Sequence, residues 1–107
     1  MNAHQLLCFL TVQRILNFTA AAKELHCTQP ALSYQTRSLE KELDLTLFER
    51  STTRVVLTAA GRAFVPHAEQ RYRGILNART ALKGVSAGHT LTLRLPPVLL
   101  QHDPIYP

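Results

Sequence analysis

Along the first 45 residues, apolar side chains recur every three or four positions in three separate runs. Leu6, Phe9, Val12 and Leu16 mark an amphipathic helix over residues 4–16. Phe18, Ala21, Ala22 and Leu25 mark a second, short helix, with Asn17 before it as a capping oxygen. Its alanines leave room for another helix backbone to approach closely. His26 follows, where a helix end calls for a left-handed residue, and His is among the side chains enriched there. Thr28 then caps a third helix, so Gln29 and Pro30 fall in its first turn, where a proline removes no intrahelical hydrogen bond. Leu32, Thr36, Leu39 and Leu43 form its inner face.

After Asp44 the period shortens. "LTLFER" and "RVVLT" are β-prone runs joined by the polar turn Ser51, Thr52 and Thr53, which places Arg50 and Arg54 near the tip of a small hairpin. Thr58 caps a long helix to about residue 87, which Pro66 must kink or locally unwind. An apolar seam runs through Val65, Ala68, Tyr72, Ile75 and Leu82 at spacings near 3.5, broken at Arg79. Beyond Gly88, "LTLRL" alternates like a strand. The order helix, three-residue turn, helix and hairpin predicts a mainly α fold: a winged helix-turn-helix of three helices and a two-stranded wing, then a long helix.

The opposite face of the third helix is unusual. Gln29 or Pro30, Ser33, Tyr34 and Arg37 supply hydrogen-bonding groups and one cation, whereas a solvated helix face is usually richer in Lys and Glu. This face is built for contact. The net charge of +5 and pI near 9.8 favour an acidic partner such as nucleic acid or an anionic membrane. The excess lies mostly elsewhere, since residues 1–60 carry six Lys/Arg against five Asp/Glu. Charge alone therefore does not single out this helix.

Cys8 and Cys27 form neither a CxxC nor a disulfide framework, and with His26 they do not reach the three or four convergent ligands a metal needs. Glu40 and Glu42, two apart on a helix, face differently and make no catalytic pair. No Gly-rich phosphate loop occurs. The expectation is a non-enzyme with no cofactor, no metal and no catalytic residue. Without a leader or a membrane-length apolar run, it is also expected to be cytoplasmic.

The stretches "NFTAAAKELHCTQPALSYQTRSLEKEL", "LFER" and "VLTAAGRAFVPHA" resemble the N-terminal DNA-binding region of bacterial LysR-type transcriptional regulators, over about residues 3–95. The resemblance implies sequence-specific binding to double-stranded promoter DNA as a homodimer, paired through Val65, Ala68, Tyr72, Ile75 and Leu82. It also implies a division of labour. Thr19 and Arg50 would contact phosphates; Gln29, Pro30, Ser33, Tyr34 and Arg37 would lie in or beside the major groove, and the capping Thr28 is counted with them among the DNA-binding residues. Arg54, on the wing, would approach the flanking minor groove or its phosphates. Gln can bond adenine, Arg can bond guanine, and a proline ring can touch a thymine methyl.

The sequence departs from that family in three places. Thr36 replaces the usual Ile or Val, and its hydroxyl needs a partner such as the Leu32 carbonyl. "RILNFT" lacks the glycine common before the second helix, so the first turn is expected to be shaped differently. The family's α/β effector domain is represented only by "LTLRL", so no small-molecule effector site is expected. The expected organisation is a DNA-binding domain over 1–58, a dimerisation helix over 59–87, and the start of a truncated effector domain or a tail over 88–107. The rival reading is an interaction module whose long helix pairs with a full-length relative and inhibits it.

Overall fold

The computed structural model describes residues 1–86; the tail, including the strand expected in "LTLRL", lies outside the described residues. The elements are α1 (Ala3–Ile15), α2 (Phe18–Glu24), α3 (Gln29–Leu43), β1 (Phe48–Arg50), β2 (Val55–Leu57) and α4 (Ala59–Ser86). This is the mainly helical winged arrangement predicted from the periodicity.

Each helix starts at a side-chain cap. Asn2 and Gln5 form a reciprocal capping box on α1, Asn17 accepts from the Ala20 N–H, and Thr28 accepts from the Ala31 N–H. The Asn2 box went unread, although Asn-x-x-Gln is its sequence signature. At α4, Thr58 Oγ1 accepts from the Gly61 N–H at 2.9 Å and donates to the Thr46 carbonyl.

The turn between α2 and α3 closes as expected. His26 sits at φ 57°, its N–H bonds the Lys23 carbonyl, and the Cys27 N–H bonds the Ala22 carbonyl. This pair of bonds terminates α2 and releases the chain in the direction of α3. The turn after α1 needs the same left-handed backbone, and without a glycine the chain places Leu16 there at φ 56°.

Leu6, Phe9 and Val12 of α1, Ala21 and Ala22 of α2, Leu32 and Leu39 of α3, and Leu47 and Phe48 at the wing root form one core. An aromatic chain runs through it: Phe64 and Phe9 lie 5.0 Å apart, Phe9 and Phe48 5.4 Å, and Phe48 and Phe18 5.9 Å. The strands are shorter than expected, because Leu45, Thr46 and Leu47 stay outside the ladder. They pair antiparallel, with Phe48 opposite Leu57 and Arg50 opposite Val55.

Helix α4 is continuous through Pro66, which is exposed, so the proline does not locally unwind it. The expected outward seam is corrected at one position. Ala68 is fully buried in the protomer's own core, and Val65, Tyr72 and Ile75 pack partly against that core. Ala68 is therefore not available to a partner. The chain divides within α4, after Ile75, and Met1–Ile75 is the compact unit that carries the site.

Candidate nucleic-acid interface

Thr19, Thr28, Gln29, Pro30, Tyr34, Arg37 and Arg54 are all exposed, while Ser33 and Arg50 are half-buried. Helix α3 sets the spacing. Gln29, Ser33 and Arg37 recur every fourth residue, with Pro30 and Tyr34 beside them on the same side. The opposite face of α3 puts Leu32, Thr36 and Leu39 into the core. Tyr34 is 68 % exposed, a large aromatic held in water with no core contact to explain it. Thr28 is occupied as the cap, at 3.2 Å from the Ala31 nitrogen.

Two ion pairs occur among the described residues: the Met1 ammonium with Glu42, and Arg14 with Glu24. Arg37, Arg50 and Arg54 pair with no carboxylate among the described residues. Burial lowers the basicity of the Arg50 guanidinium from its ordinary value. The nearby Arg37 lowers it further, and Glu40 partly opposes both. Two guanidiniums close enough to repel each other, with no ion-pair partner among the described residues, favour an anion beside them.

Arg50 is not arranged as a free surface cation. Pleating sends Phe48 and Arg50 to the same side of β1 and Glu49 to the other. The Arg50 guanidinium turns back onto the helices. One terminal nitrogen donates to Ser33 Oγ at 3.0 Å, the other donates to Thr36 Oγ1 at 3.0 Å, and the central carbon lies 4.1 Å above the Phe18 ring. Thr36 in turn donates to the Ser33 carbonyl at 3.0 Å rather than to that of Leu32, one residue nearer than expected. The sequence left this triangle hidden, although the alternation in "FER" carried its signal.

Beside it lies an open cleft of about 260 Å³, lined by Asn17 and Thr19 at the start of α2, Gln29 at the start of α3, Arg50, and the wing turn Ser51–Arg54. Ser51 shapes that turn: its N–H bonds the Arg54 carbonyl at 2.9 Å, and its hydroxyl accepts from the Arg54 N–H at 3.1 Å. The structure thus brings Thr19, Gln29, Arg50 and Arg54 to one cleft, and leaves Tyr34 and Arg37 further along α3. His4 Nε2 approaches Cys8 Sγ at 3.7 Å, but no group of three His, Cys, Asp or Glu able to hold a metal occurs among the described residues. No described helix is long and apolar enough to cross a membrane.

A helix-turn-helix carried on a small core and followed by a two-stranded wing defines a winged helix-turn-helix protein. Residues 3–62 match the model of the bacterial regulatory helix-turn-helix proteins of the lysR family, and the chain belongs to that family. It is 44 % identical over 91 residues to the RuBisCO operon transcriptional regulator of Allochromatium vinosum, covering 82 % of this chain and 30 % of that regulator. The chain spans less than half the length of the curated relatives it matches, reaching 40 % in a Bacillus subtilis regulator. Among solved structures it resembles the BenM DNA-binding domain in complex with benA site 1 DNA (TM-score 0.74, 32 % identity, 83 % of this chain and all of that one). It also resembles Vibrio fischeri DarR in complex with DNA (TM-score 0.77, 28 % identity, 81 % of this chain and 30 % of that one).

Proposed function

We propose that this chain is the part of a LysR-type transcriptional regulator that binds double-stranded promoter DNA with sequence specificity. Helix α3 enters the major groove, where Gln29, Pro30, Ser33, Tyr34 and Arg37 meet base edges and sugar-phosphate. Thr19, Arg50 and Arg54 hold the flanking backbone from the cleft and the wing. The observation that carries this reading is the solvent-facing row on α3 and the wing, hydrogen-bonding and cationic, with no carboxylate paired to its three arginines among the described residues. Phosphate contacts set the register and base contacts give the specificity.

The chain acts as a homodimer through α4. Support comes from apolar side chains left in water along its last turns, where Leu76 is 40 % exposed, Leu82 58 % and Val85 37 %. The earlier positions Val65, Tyr72 and Ile75 contribute only their outer edges, because they are already partly packed against the chain's own core.

Selection from a random duplex pool by the purified chain, at two salt concentrations, tests the reading. A dyad sequence enriched at both salts is the expected result. Binding without enrichment that vanishes at the higher salt would reduce the role to phosphate holding, since each neutralised phosphate releases a counterion. Absence of binding at either salt would overturn DNA binding and favour the interaction-module reading.

A further inference from the structure

The structure assigns Thr36, a core residue of α3, the role of a positioning residue for DNA binding that acts through Arg50. This inference rests on the DNA-binding reading and goes beyond it, because Thr36 itself is 1 % exposed and touches no ligand.

The chemistry of the triangle points one way. A hydroxyl offers one proton and two lone pairs. The Thr36 proton goes to the Ser33 carbonyl, which aims a lone pair at Arg50. Arg50 has five N–H groups, of which one meets Thr36 and one meets Ser33. The other three meet no protein acceptor among the described residues, and Arg50 lines the cleft together with Thr19, Gln29 and the wing turn. Two anchors and the Phe18 ring fix the plane of the guanidinium, so its free edge is oriented before any phosphate arrives. With Thr36 removed, Ser33 and Phe18 would still hold the group, but its plane could turn about the single remaining hydrogen bond. The rotational freedom would then be lost on binding instead of on folding.

A purely structural role makes a different prediction. Val and Thr have nearly the same shape, and the inner face of α3 around position 36 is otherwise formed by Leu32 and Leu39. Thr36→Val should therefore fold at least as stably as the wild type, since the half-buried guanidinium can recover its lost partner from water. Thr36→Ser keeps the hydroxyl and deletes a buried methyl, which lowers the melting temperature. The two variants separate stability from positioning.

The experiment measures the affinity of wild type, Thr36→Val and Thr36→Ser for the duplex selected by the wild type, together with their melting temperatures. The expected result is a crossed pattern. Thr36→Val melts no lower than the wild type and binds about tenfold more weakly, on every sequence alike, the equivalent of one charge-assisted hydrogen bond's lower range. Thr36→Ser melts lower and binds as the wild type does. If Thr36→Val binds within twofold of the wild type, or affinity simply follows melting temperature in both variants, the positioning role is overturned. If the wild type binds no duplex at low salt, the reading beneath it fails, and this inference with it.

Discussion

Gly61 stands so close to Leu47 that a Cβ on it would lie 2.3 Å from the Leu47 carbonyl oxygen and 2.7 Å from Leu57 Cδ2. The same carbonyl accepts the Thr58 N–H at 3.0 Å, so the start of α4 is seated backbone to backbone on the root of the wing. A helical glycine normally costs about 1 kcal/mol relative to alanine. Here the order should reverse. Gly61→Ala is expected to destabilise the fold by about 1–3 kcal/mol, because the nearest obstacle is main chain and cannot swing aside. The urea midpoint checks it, and a midpoint at or above that of the wild type would show that the wing root yields.

Glu40 does on the other side of the wing root what Thr58 does on this one. Its Oε2 accepts the Leu47 N–H at 2.8 Å and the Phe48 N–H at 3.1 Å, both on buried residues where the chain leaves α3. Glu40→Ala leaves two donors without a partner and should cost about 1–3 kcal/mol in thermal unfolding. Glu40→Gln keeps an amide oxygen in place and should lose less. Equal losses in the two variants would mean that the charge, and not the acceptor, holds the strand.

The sequence made the helices and the turn between α2 and α3 legible because their determinants are local: a capping oxygen, a period of 3.6 and a residue tolerant of positive φ at His26. The row on α3 was legible for the same reason, since Ser33 and Arg37 follow Gln29 at four-residue steps. Contacts set by tertiary packing were not. Ala68 reads as part of an outward seam, yet it is fully buried in the chain's own core. The partner of Thr36 depends on which way a side chain from β1 turns, and nothing local to α3 encodes that. Glu40 reads in sequence only as half of a carboxylate pair, yet it serves the backbone at the root of the wing seven and eight residues on.

Leu16 carries a local cost that one substitution can relieve. At φ 56° and ψ 37° its Cβ crowds the following carbonyl, a strain of roughly 1–2 kcal/mol for a non-glycine residue. Its side chain is 41 % exposed, so little packing offsets that strain. Leu16→Gly should therefore raise stability by up to about 1 kcal/mol, after the greater flexibility of glycine in the unfolded chain is subtracted. A lower melting temperature would mean that the half-covered leucine holds the turn through contacts worth more than its strain.

The two thiols should behave differently. Burial, with Cys27 adding to it, pushes the Cys8 thiol up from 9.0 to about 11, while Cys27 is only partly buried. In the native protein near pH 8, iodoacetamide should label Cys27 well before Cys8, which reacts on the timescale of unfolding. The same shift makes a pH prediction. Below pH 9 Cys8 is neutral in both states, and its contribution is complete. Between pH 9 and about 11 the unfolded chain releases a proton that the folded one keeps, so stability falls. The stability difference between wild type and Cys8→Ala should shrink over that window by at most roughly 2–3 kcal/mol. A difference that stays flat from pH 8 to 11 would show that Cys8 ionises in the folded protein as easily as in the unfolded one.

Arg37 and Arg54 are both exposed and unpaired among the described residues, but the elements that carry them assign different tasks. Arg37 projects from α3, two turns beyond its N-terminal end, on the same row as Gln29 and Ser33. A guanidinium there can meet guanine O6 and N7 together. Arg54 closes the wing turn beside Ser51, on the cleft it shares with the first residue of α3, and its proposed contact is the backbone or the flanking groove. On the duplex selected by the wild type, Arg37→Ala should lose roughly 1–3 kcal/mol of discrimination at one or two base pairs and keep most of its affinity for altered sites. Arg54→Ala should weaken every sequence alike and reduce the salt slope by about one counterion. Titrations of both variants on the selected site and its single-base variants, at several salt concentrations, separate the two. Uniform weakening by Arg37→Ala, with base preference intact, would move Arg37 off the bases and onto the phosphates. The reading of α3 would then rest on Gln29, Pro30, Ser33 and Tyr34.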